Sequence, residues 1–198
     1  MKFLLIFLCG LVSCLSSQVW AQNKLKAGKE QQFISQYLNV SENTVNEKKE
    51  ILYADALYNG EVTAFAVAVK KDTLFDFAKK NKYLILTKSE KEDIQTELAK
   101  ISEQRWPDGI IQHSSKLSLD SLKGIIGPQG LGWNDNYYKK YKTGFYTLSK
   151  PVFIRNETIC FFYAGYHCGN LCGHGSVAVY LFNKGKWEKW LVLEEWRS

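Results

Sequence analysis

The chain has 198 residues, and its 26 lysines and arginines outnumber its 20 aspartates and glutamates to give a formal net charge of +6. The basic residues are scattered among carboxylates, a distribution that argues against a nucleic-acid-binding protein. No apolar run reaches the roughly 20 residues of a transmembrane helix, which argues against an integral membrane protein.

Residues 1–21 have the composition of a cleavable secretory signal peptide. Lys2 supplies a positive charge, an apolar run follows it, and Ala21 places a small residue at the cleavage site. These are the three parts of a signal that a signal peptidase removes. We therefore predict an exported protein, periplasmic or secreted, whose mature chain covers residues 22–198.

A second processing route stays open at Cys14. The stretch Leu11-Val12-Ser13-Cys14 resembles the lipobox of bacterial lipoproteins, in which the cysteine is lipidated and becomes the new N-terminus. Two acyl chains would anchor the protein to a membrane, whereas cleavage before Gln22 would release it. Soluble export is favoured because Ala21 is the small residue that a signal peptidase needs.

The length of residues 22–198 predicts a single domain. In its first part, apolar residues at helical spacing predict a short helix near 29–38. Apolar stretches follow at 51–58 and 62–69, separated by the turn signal Asn59-Gly60. Their periodicity fits either two strands or one buried helix, and both alternatives remain open.

The stretch 83–86 predicts a short buried strand, and the clearest helix of the chain follows at residues 88–104. Thr87 or Ser89 can cap this helix, and a glutamate three residues later completes a capping box. Apolar residues recur along one of its faces, and a proline shortly after its end stops it. A further turn of helix is predicted at 118–123.

From Gly144 onwards, apolar and polar residues alternate with a period of two, which is typical of strands. Short turns separate the segments and require antiparallel neighbours. We therefore predict an α+β domain in which N-terminal helices pack on a C-terminal antiparallel meander at 144–195, of four or more strands. The predicted strands are 145–154, 158–167, 176–182 and 186–193.

The loop 167–175 between the second and third predicted strands carries most of the reactive side chains. If this hairpin is centred on Asn170, Cys168 faces Cys172. Directly opposed residues have Cβ atoms about 4.5–5.5 Å apart, so a disulfide is feasible and fits an oxidising compartment. Cys160 lies eight residues away along the strand, and we expect it to be a free, buried thiol.

Two chemical alternatives use the same loop. The register places His174 on the face that carries Cys168 and Cys172, which gives three ligands of the kind that zinc accepts. This set is incomplete, because His167 points to the opposite face and His113 lies in an unplaced segment. Alternatively, one of the two cysteines is a nucleophile with His174 as its base. Neither cysteine sits at a predicted helix N-terminus, where a thiol pKa is commonly lowered.

The predicted strands are apolar on both faces, so both faces need a cover. We expect the N-terminal half to wrap around the sheet and to bury most of its aromatic side chains. Fewer aromatic residues would then remain for a ligand cleft. The candidates for such a cleft are Tyr163, Tyr166, Tyr180, Trp187, Trp190 and Trp196.

Four short stretches in residues 144–198 carry a resemblance to a known pattern. They are Ser149-Lys150-Pro151-Val152-Phe153, the Cys168–Gly175 loop, the Gly185-Lys186-Trp187 turn and the terminal Trp196-Arg197-Ser198. Together they are similar to a family of uncharacterised exported bacterial proteins. The resemblance implies a bacterial envelope protein, and it transfers no catalytic or binding residue.

The sequence therefore favours an exported accessory or binding domain without catalysis. Paired catalytic carboxylates and a phosphate-binding loop are not evident, and we predict no cofactor. The partner remains open. The alternative is an enzyme, a zinc- or cysteine-dependent envelope hydrolase centred on Cys168, Cys172 and His174.

Overall fold

The computed structural model describes residues 28–39, 50–127 and 130–198. The predicted signal peptide at 1–21 and the lipobox cysteine Cys14 lie outside the described residues, so export and lipidation stay predictions.

The strands of the described residues are β1 (Ile51–Ala54), β2 (Thr73–Phe75), β3 (Tyr83–Ile85), β4 (Ser114–Leu117), β5 (Phe145–Leu148), β6 (Val152–Ile154), β7 (Ile159–Gly169), β8 (Cys172–Asn183) and β9 (Lys186–Arg197). Most of them belong to one mixed sheet of seven, in the order β4-β1-β5-β7-β8-β9, with β6 pairing with β7. Strands β2 and β3 form a separate two-stranded sheet.

The helices lie mainly in the N-terminal half, as predicted. They are α1 (28–39), α2 (Asn59–Ala68), α3 (Lys88–Ile101), α4 (Leu119–Ile126) and α5 (Tyr138–Tyr141), and a π-helical segment, Trp133–Tyr137, leads into α5. Among the described residues, no helix combines the length and apolar character that crossing a membrane requires.

Helix α3 begins with the capping box that the sequence predicts. The hydroxyl of Thr87 accepts a hydrogen bond from the Glu90 backbone N–H at 3.2 Å, and the Glu90 carboxylate accepts one from the Thr87 N–H at 2.8 Å. These bonds satisfy two N–H groups that a helix terminus otherwise leaves unpaired.

The C-terminal half is the predicted antiparallel meander. Strands β7, β8 and β9 pair consecutively, and β5 lies on the other side of β7. In the β7–β8 pair, Cys160 lies opposite Tyr180 and Tyr166 lies opposite His174, the register expected for a hairpin centred on Asn170.

The sheet is larger and less uniform than a pure antiparallel meander, however. Strand β1 runs parallel to both β4 and β5. All four residues of β1 are buried, as is typical of parallel strands. Strand β4, with the sequence Ser-Ser-Lys-Leu, has no apolar alternation that could have predicted it.

The predicted strand 145–154 is split into β5 and β6. Between them, the Ser149 N–H donates to the carbonyl of Tyr163 at 3.0 Å, and the Ser149 hydroxyl accepts from the Tyr163 N–H at 2.9 Å. Pro151 follows and has no N–H to continue a ladder.

The Asn59-Gly60 pair was expected to be a turn, and it instead begins α2. The ambiguous stretch before it contains strand β1, and the stretch after it is helical. Strand β3 forms within the stretch 83–86 that was predicted as a buried strand, where Leu84 and Leu86 are buried while Tyr83 and Ile85 are exposed.

Both faces of the β7–β9 meander are covered, as its two apolar faces require. Helices α2 and α3 and the β2–β3 sheet cover one face, which we call the α2 face; its core includes Phe65, Phe161 and Val179. Helix α1 covers part of the other, the α1 face, where Phe33 packs against Phe162.

Candidate functional site

The tip of the β7–β8 hairpin brings Cys168 and Cys172 to disulfide distance, with their Cα atoms 4.9 Å apart. The predicted register holds through His167, and a bulge then places Gly169 opposite Cys172. The Tyr138 hydroxyl donates to the Cys168 carbonyl at 2.7 Å. The tip is therefore held both by its own sulfurs and by the segment that follows α4.

The two histidines of the hairpin lie on opposite faces of the sheet. His174 is on the α1 face, with its ring centroid 5.8 Å from that of Tyr166. His167 is on the α2 face, and His113 lies apart from the hairpin, in the loop before β4. No group of three or more histidine, cysteine or acidic side chains within the described ranges is arranged to hold a metal ion.

Cys160 is the free cysteine of the described residues, and it is fully buried, as predicted. Burial raises the pKa of its thiol well above the usual value, so the reactive thiolate is disfavoured.

A cleft of about 350 Å³ opens on the α1 face beside His174. It extends from α1 along β7 and β8 as far as Tyr166 and His174, near the disulfide. Aromatic side chains form much of its wall, namely Phe33, Tyr37, Tyr146, Tyr166, Tyr180 and Trp187. Phe33, Tyr180 and Trp187 are buried, as expected for a covered sheet, so the aromatic surface that a ligand could reach belongs mainly to the half-buried Tyr37, Tyr146 and Tyr166.

Polar groups interrupt the aromatic wall of the cleft. The side chains concerned are Gln36, His174, Ser176, Lys189 and Glu195. The Lys189 ammonium lies 6.0 Å from the Tyr180 ring centroid. Desolvation lowers the pKa of Lys189 although its side chain as a whole is exposed. Burial raises the pKa of Tyr37 and of Tyr180, so both hydroxyls are neutral.

On the α2 face, directly behind this cleft, a second polar group surrounds Glu61. Its Oε1 accepts hydrogen bonds from the hydroxyls of Thr147, at 2.6 Å, and Tyr163, at 2.9 Å. His167 Nε2 lies 3.0 Å from the same oxygen. The other oxygen, Oε2, accepts from the Tyr58 N–H at 2.8 Å and so caps helix α2. We call these residues the Glu61 cluster.

The carboxylate of the Glu61 cluster is largely shielded from solvent, and His167 lies at the edge of the cluster with 20% of its side chain exposed. Glu61 is 8% exposed and Thr147 is fully buried. The Tyr163 hydroxyl also accepts a hydrogen bond from Trp196 Nε1 at 3.0 Å. A Cβ at position 165 would lie only 2.8 Å from the Thr147 hydroxyl, so a glycine there leaves the space that the cluster needs. Burial beside the Glu61 carboxylate raises the pKa of Tyr163, which stays a neutral donor.

The Glu61 cluster was not predicted from the sequence. Its members come from the start of α2, from β5 and from β7, and Glu61 and His167 are 106 residues apart along the chain. The available signal was a glutamate in the first turn of an otherwise apolar helix, because a buried carboxylate requires donors.

A comparison with protein-family models, curated proteins and solved structures finds no match for this chain.

Proposed function

We propose that this protein is an exported binding domain without a catalytic step, and that its ligand occupies the cleft on the α1 face. The observation that carries this proposal is the aromatic wall around about 350 Å³ of open space, in contact with the disulfide-bearing hairpin. Binding sites in proteins are typically concave, largely apolar and supplied with a few polar groups that fix orientation.

The lining favours a small ligand with a ring or flat apolar face and polar edges. Tyrosine and tryptophan rings offer apolar surfaces against which such a face packs. His174, Ser176 and Glu195 supply donors and acceptors for the edges, and Lys189 supplies a donor near the aromatic wall. Sugar rings and short peptides that contain an aromatic or proline residue both have this character.

The absence of a catalytic step is proposed from the state of the reactive side chains. The sulfurs of Cys168 and Cys172 lie at disulfide distance, which leaves neither as the thiolate that cysteine catalysis needs. Three of the four donor groups around Glu61 come from the sheet, and a substrate would have to displace them.

Export is proposed from the predicted signal peptide at 1–21 and from the disulfide pair, since disulfides persist mainly outside the cytoplasm. The resemblance to exported bacterial proteins supports the same location. Cleavage before Gln22 would give a soluble form, and lipidation of Cys14 would give an anchored one.

The binding proposal is tested with the chain from Gln22, which keeps every described residue. A panel of soluble saccharides and of di- and tripeptides is screened by saturation-transfer NMR, and hits are titrated by tryptophan fluorescence. We expect at least one class to bind. Ser176→Trp places an indole in the cleft and should reduce affinity by at least about tenfold.

Val67→Trp is the matched control, because it adds the same side chain to the exposed surface of α2. It should leave affinity unchanged. Equal affinity in the Ser176→Trp variant would remove the cleft from the proposal. Hydrolysis of a panel member that disappears in Cys168→Ser or His174→Ala would replace the binding domain with the hydrolase alternative.

A further inference from the structure

The small β2–β3 sheet carries an exposed apolar surface away from the cleft. Leu74 and Leu84 face the core and are buried, whereas the residues that alternate with them face outwards. The exposed fractions are 51% for Phe75, 64% for Phe77, 50% for Tyr83 and 58% for Ile85. We call these four side chains the β2–β3 patch.

Lysines surround the β2–β3 patch along the chain. Residues 70–83 contain five lysines and two aspartates. The lysines are all exposed: Lys70, Lys71, Lys79, Lys80 and Lys82. Within the described part of the chain, none of them is at salt-bridge distance from a carboxylate, whereas Asp72 pairs with Lys91.

The second aspartate, Asp76, is turned towards the protein. Its carboxylate accepts hydrogen bonds from the backbone N–H groups of Val192 at 2.9 Å, Lys79 at 2.7 Å and Ala78 at 3.1 Å. These bonds, first that from Val192, lower the pKa of Asp76. The carboxylate is buried, so the outer surface of the segment presents mainly ammonium groups.

Hydrogen bonds attach the β2–β3 sheet to the rest of the fold at both ends. The Phe77 N–H donates to the Val192 carbonyl at 2.6 Å. At the other end, Arg155 donates to the Ile85 carbonyl at 2.8 Å and pairs with Glu90. Because these bonds already hold the β2–β3 sheet in place, the patch can bind a flat partner without an additional cost in conformational entropy.

We propose that the β2–β3 patch docks on an anionic lipid bilayer. Exposed aromatic and branched side chains can enter the region between headgroups and acyl chains, where Tyr and Phe rings are stable. The ammonium groups of the neighbouring lysines can reach lipid phosphates while the aliphatic parts of their side chains lie along apolar surface. An acidic protein would satisfy the lysines equally well, but it would not by itself explain four large apolar side chains exposed on one short segment of the chain.

The test is co-sedimentation of the chain from Gln22 with vesicles of phosphatidylcholine alone and of phosphatidylcholine mixed with phosphatidylglycerol. This form is used because the apolar segment in residues 1–21 would itself enter lipid. We expect binding to the mixed vesicles only, and weaker binding at high salt because screening shortens the range of the attraction.

Two variants separate the apolar and the charged contributions. The variant Lys79→Glu/Lys80→Glu/Lys82→Glu should lower partitioning at least about 100-fold, since each basic residue near an anionic membrane contributes roughly fivefold and the glutamates add repulsion. The variant Phe75→Ser/Phe77→Ser should lower it about tenfold while keeping the salt dependence. Near-UV circular dichroism verifies that each variant is folded.

The matched controls lie elsewhere on the surface. Lys139→Glu/Lys140→Glu reverses two exposed lysines, and Leu171→Ser removes a side chain that is 87% exposed. The serine control should bind as the unmodified chain does, and the glutamate control should lose much less binding than the triple variant.

Equal binding to both vesicle types, or a triple variant that binds as tightly as the unmodified chain, would overturn the proposal. So would retention on immobilised polyglutamate without binding to either vesicle type, which would assign the lysines to an acidic protein partner.

Discussion

The two faces of strand β7 differ in how their polar groups are used. Tyr163 and His167 point to the α2 face, where they reach Glu61 in a largely buried cluster. Tyr166, between them in the sequence, points to the α1 face and lines an open cleft. One strand thus supplies a largely buried polar contact on one side and partly accessible aromatic surface on the other.

The difference separates side chains that stabilise from side chains that can bind. In the Glu61 cluster, every observed donor has an acceptor within the protein, so a ligand would have to break existing bonds. In the cleft, His174 and Ser176 border open space and can form bonds to a ligand at lower cost. Mutations on the two faces should therefore affect different measurements.

Glu61→Ala should have the largest effect on stability. It removes the acceptor of two buried hydroxyls and of the α2 capping bond, and unpaired buried donors are costly. We expect a loss of about 3 kcal/mol in the free energy of unfolding, measured by urea denaturation. Val67→Ala, on the exposed surface of the same helix, should change it by less than about 0.5 kcal/mol. Similar values for both would mean that the cluster does not stabilise the α2 face.

Replacing both hairpin cysteines tests the contribution of the disulfide at the tip of the β7–β8 hairpin. Cys168→Ser/Cys172→Ser should cost about 1–2 kcal/mol, since the closed loop is short. Amide hydrogen exchange should accelerate in the hairpin tip. In the unmodified chain from Gln22, thiol titration after unfolding without reductant should find one thiol, that of Cys160. Three titratable thiols would contradict the disulfide.

Matched tyrosine substitutions compare the faces most directly. Tyr163→Phe removes the hydroxyl that donates to Glu61 and accepts from Trp196, and it should cost about 1.5 kcal/mol. Tyr166→Phe should change stability by less than about 0.5 kcal/mol. A larger stability loss for Tyr166→Phe than for Tyr163→Phe would reverse the assignment of the two faces.

The smallest effect is expected at the rim of the α2 face, where Arg155 pairs with Glu90. The hydrogen bond from Arg155 is the main reason that the pKa of Glu90 falls from its ordinary value of 4.5 to about 2. A carboxylate whose pKa is lowered by folding stabilises the folded state at any pH above its ordinary pKa. This contribution is lost as the pH falls from about 4.5 to about 2.

Arg155→Gln should therefore cost about 1 kcal/mol at pH 7, a value that allows for the exposure of the guanidinium. Urea denaturation should show the difference shrinking between pH 4.5 and 2. Lys123→Gln, which breaks an exposed pair with Asp120, serves as the control and should have no measurable effect. A difference that is constant across this range would contradict the role of Glu90.

Much of the fold on the C-terminal side was predictable because its determinants are local. The period-two pattern and a turn centred on Asn170 were enough for the β7–β8 register, and a capping box was enough for α3. The proximity of Cys168 and Cys172 followed from that register, apart from the bulge.

The remainder depends on contacts between distant residues. Strand β4 has two serines and a lysine, so its place beside β1 is determined by pairing instead of by apolar alternation. Asn59 begins a helix because Glu61 caps it and is itself held by the sheet. The cleft is lined by α1 together with β7, β8 and β9, and the sequence of α1 does not reveal which part of the sheet it packs against.

The outer strands of the large sheet have a consequence for self-association. An unpaired strand edge is a template for adding another chain and hence for aggregation. Strand β4 is only four residues long, and the 12-residue β9 is rich in charged residues. Val192, midway along β9, already uses both its backbone N–H and its carbonyl to hold Asp76 and Phe77. A second copy of the chain would therefore find no continuous ladder of backbone groups along β9, which should disfavour the addition of another strand at that edge.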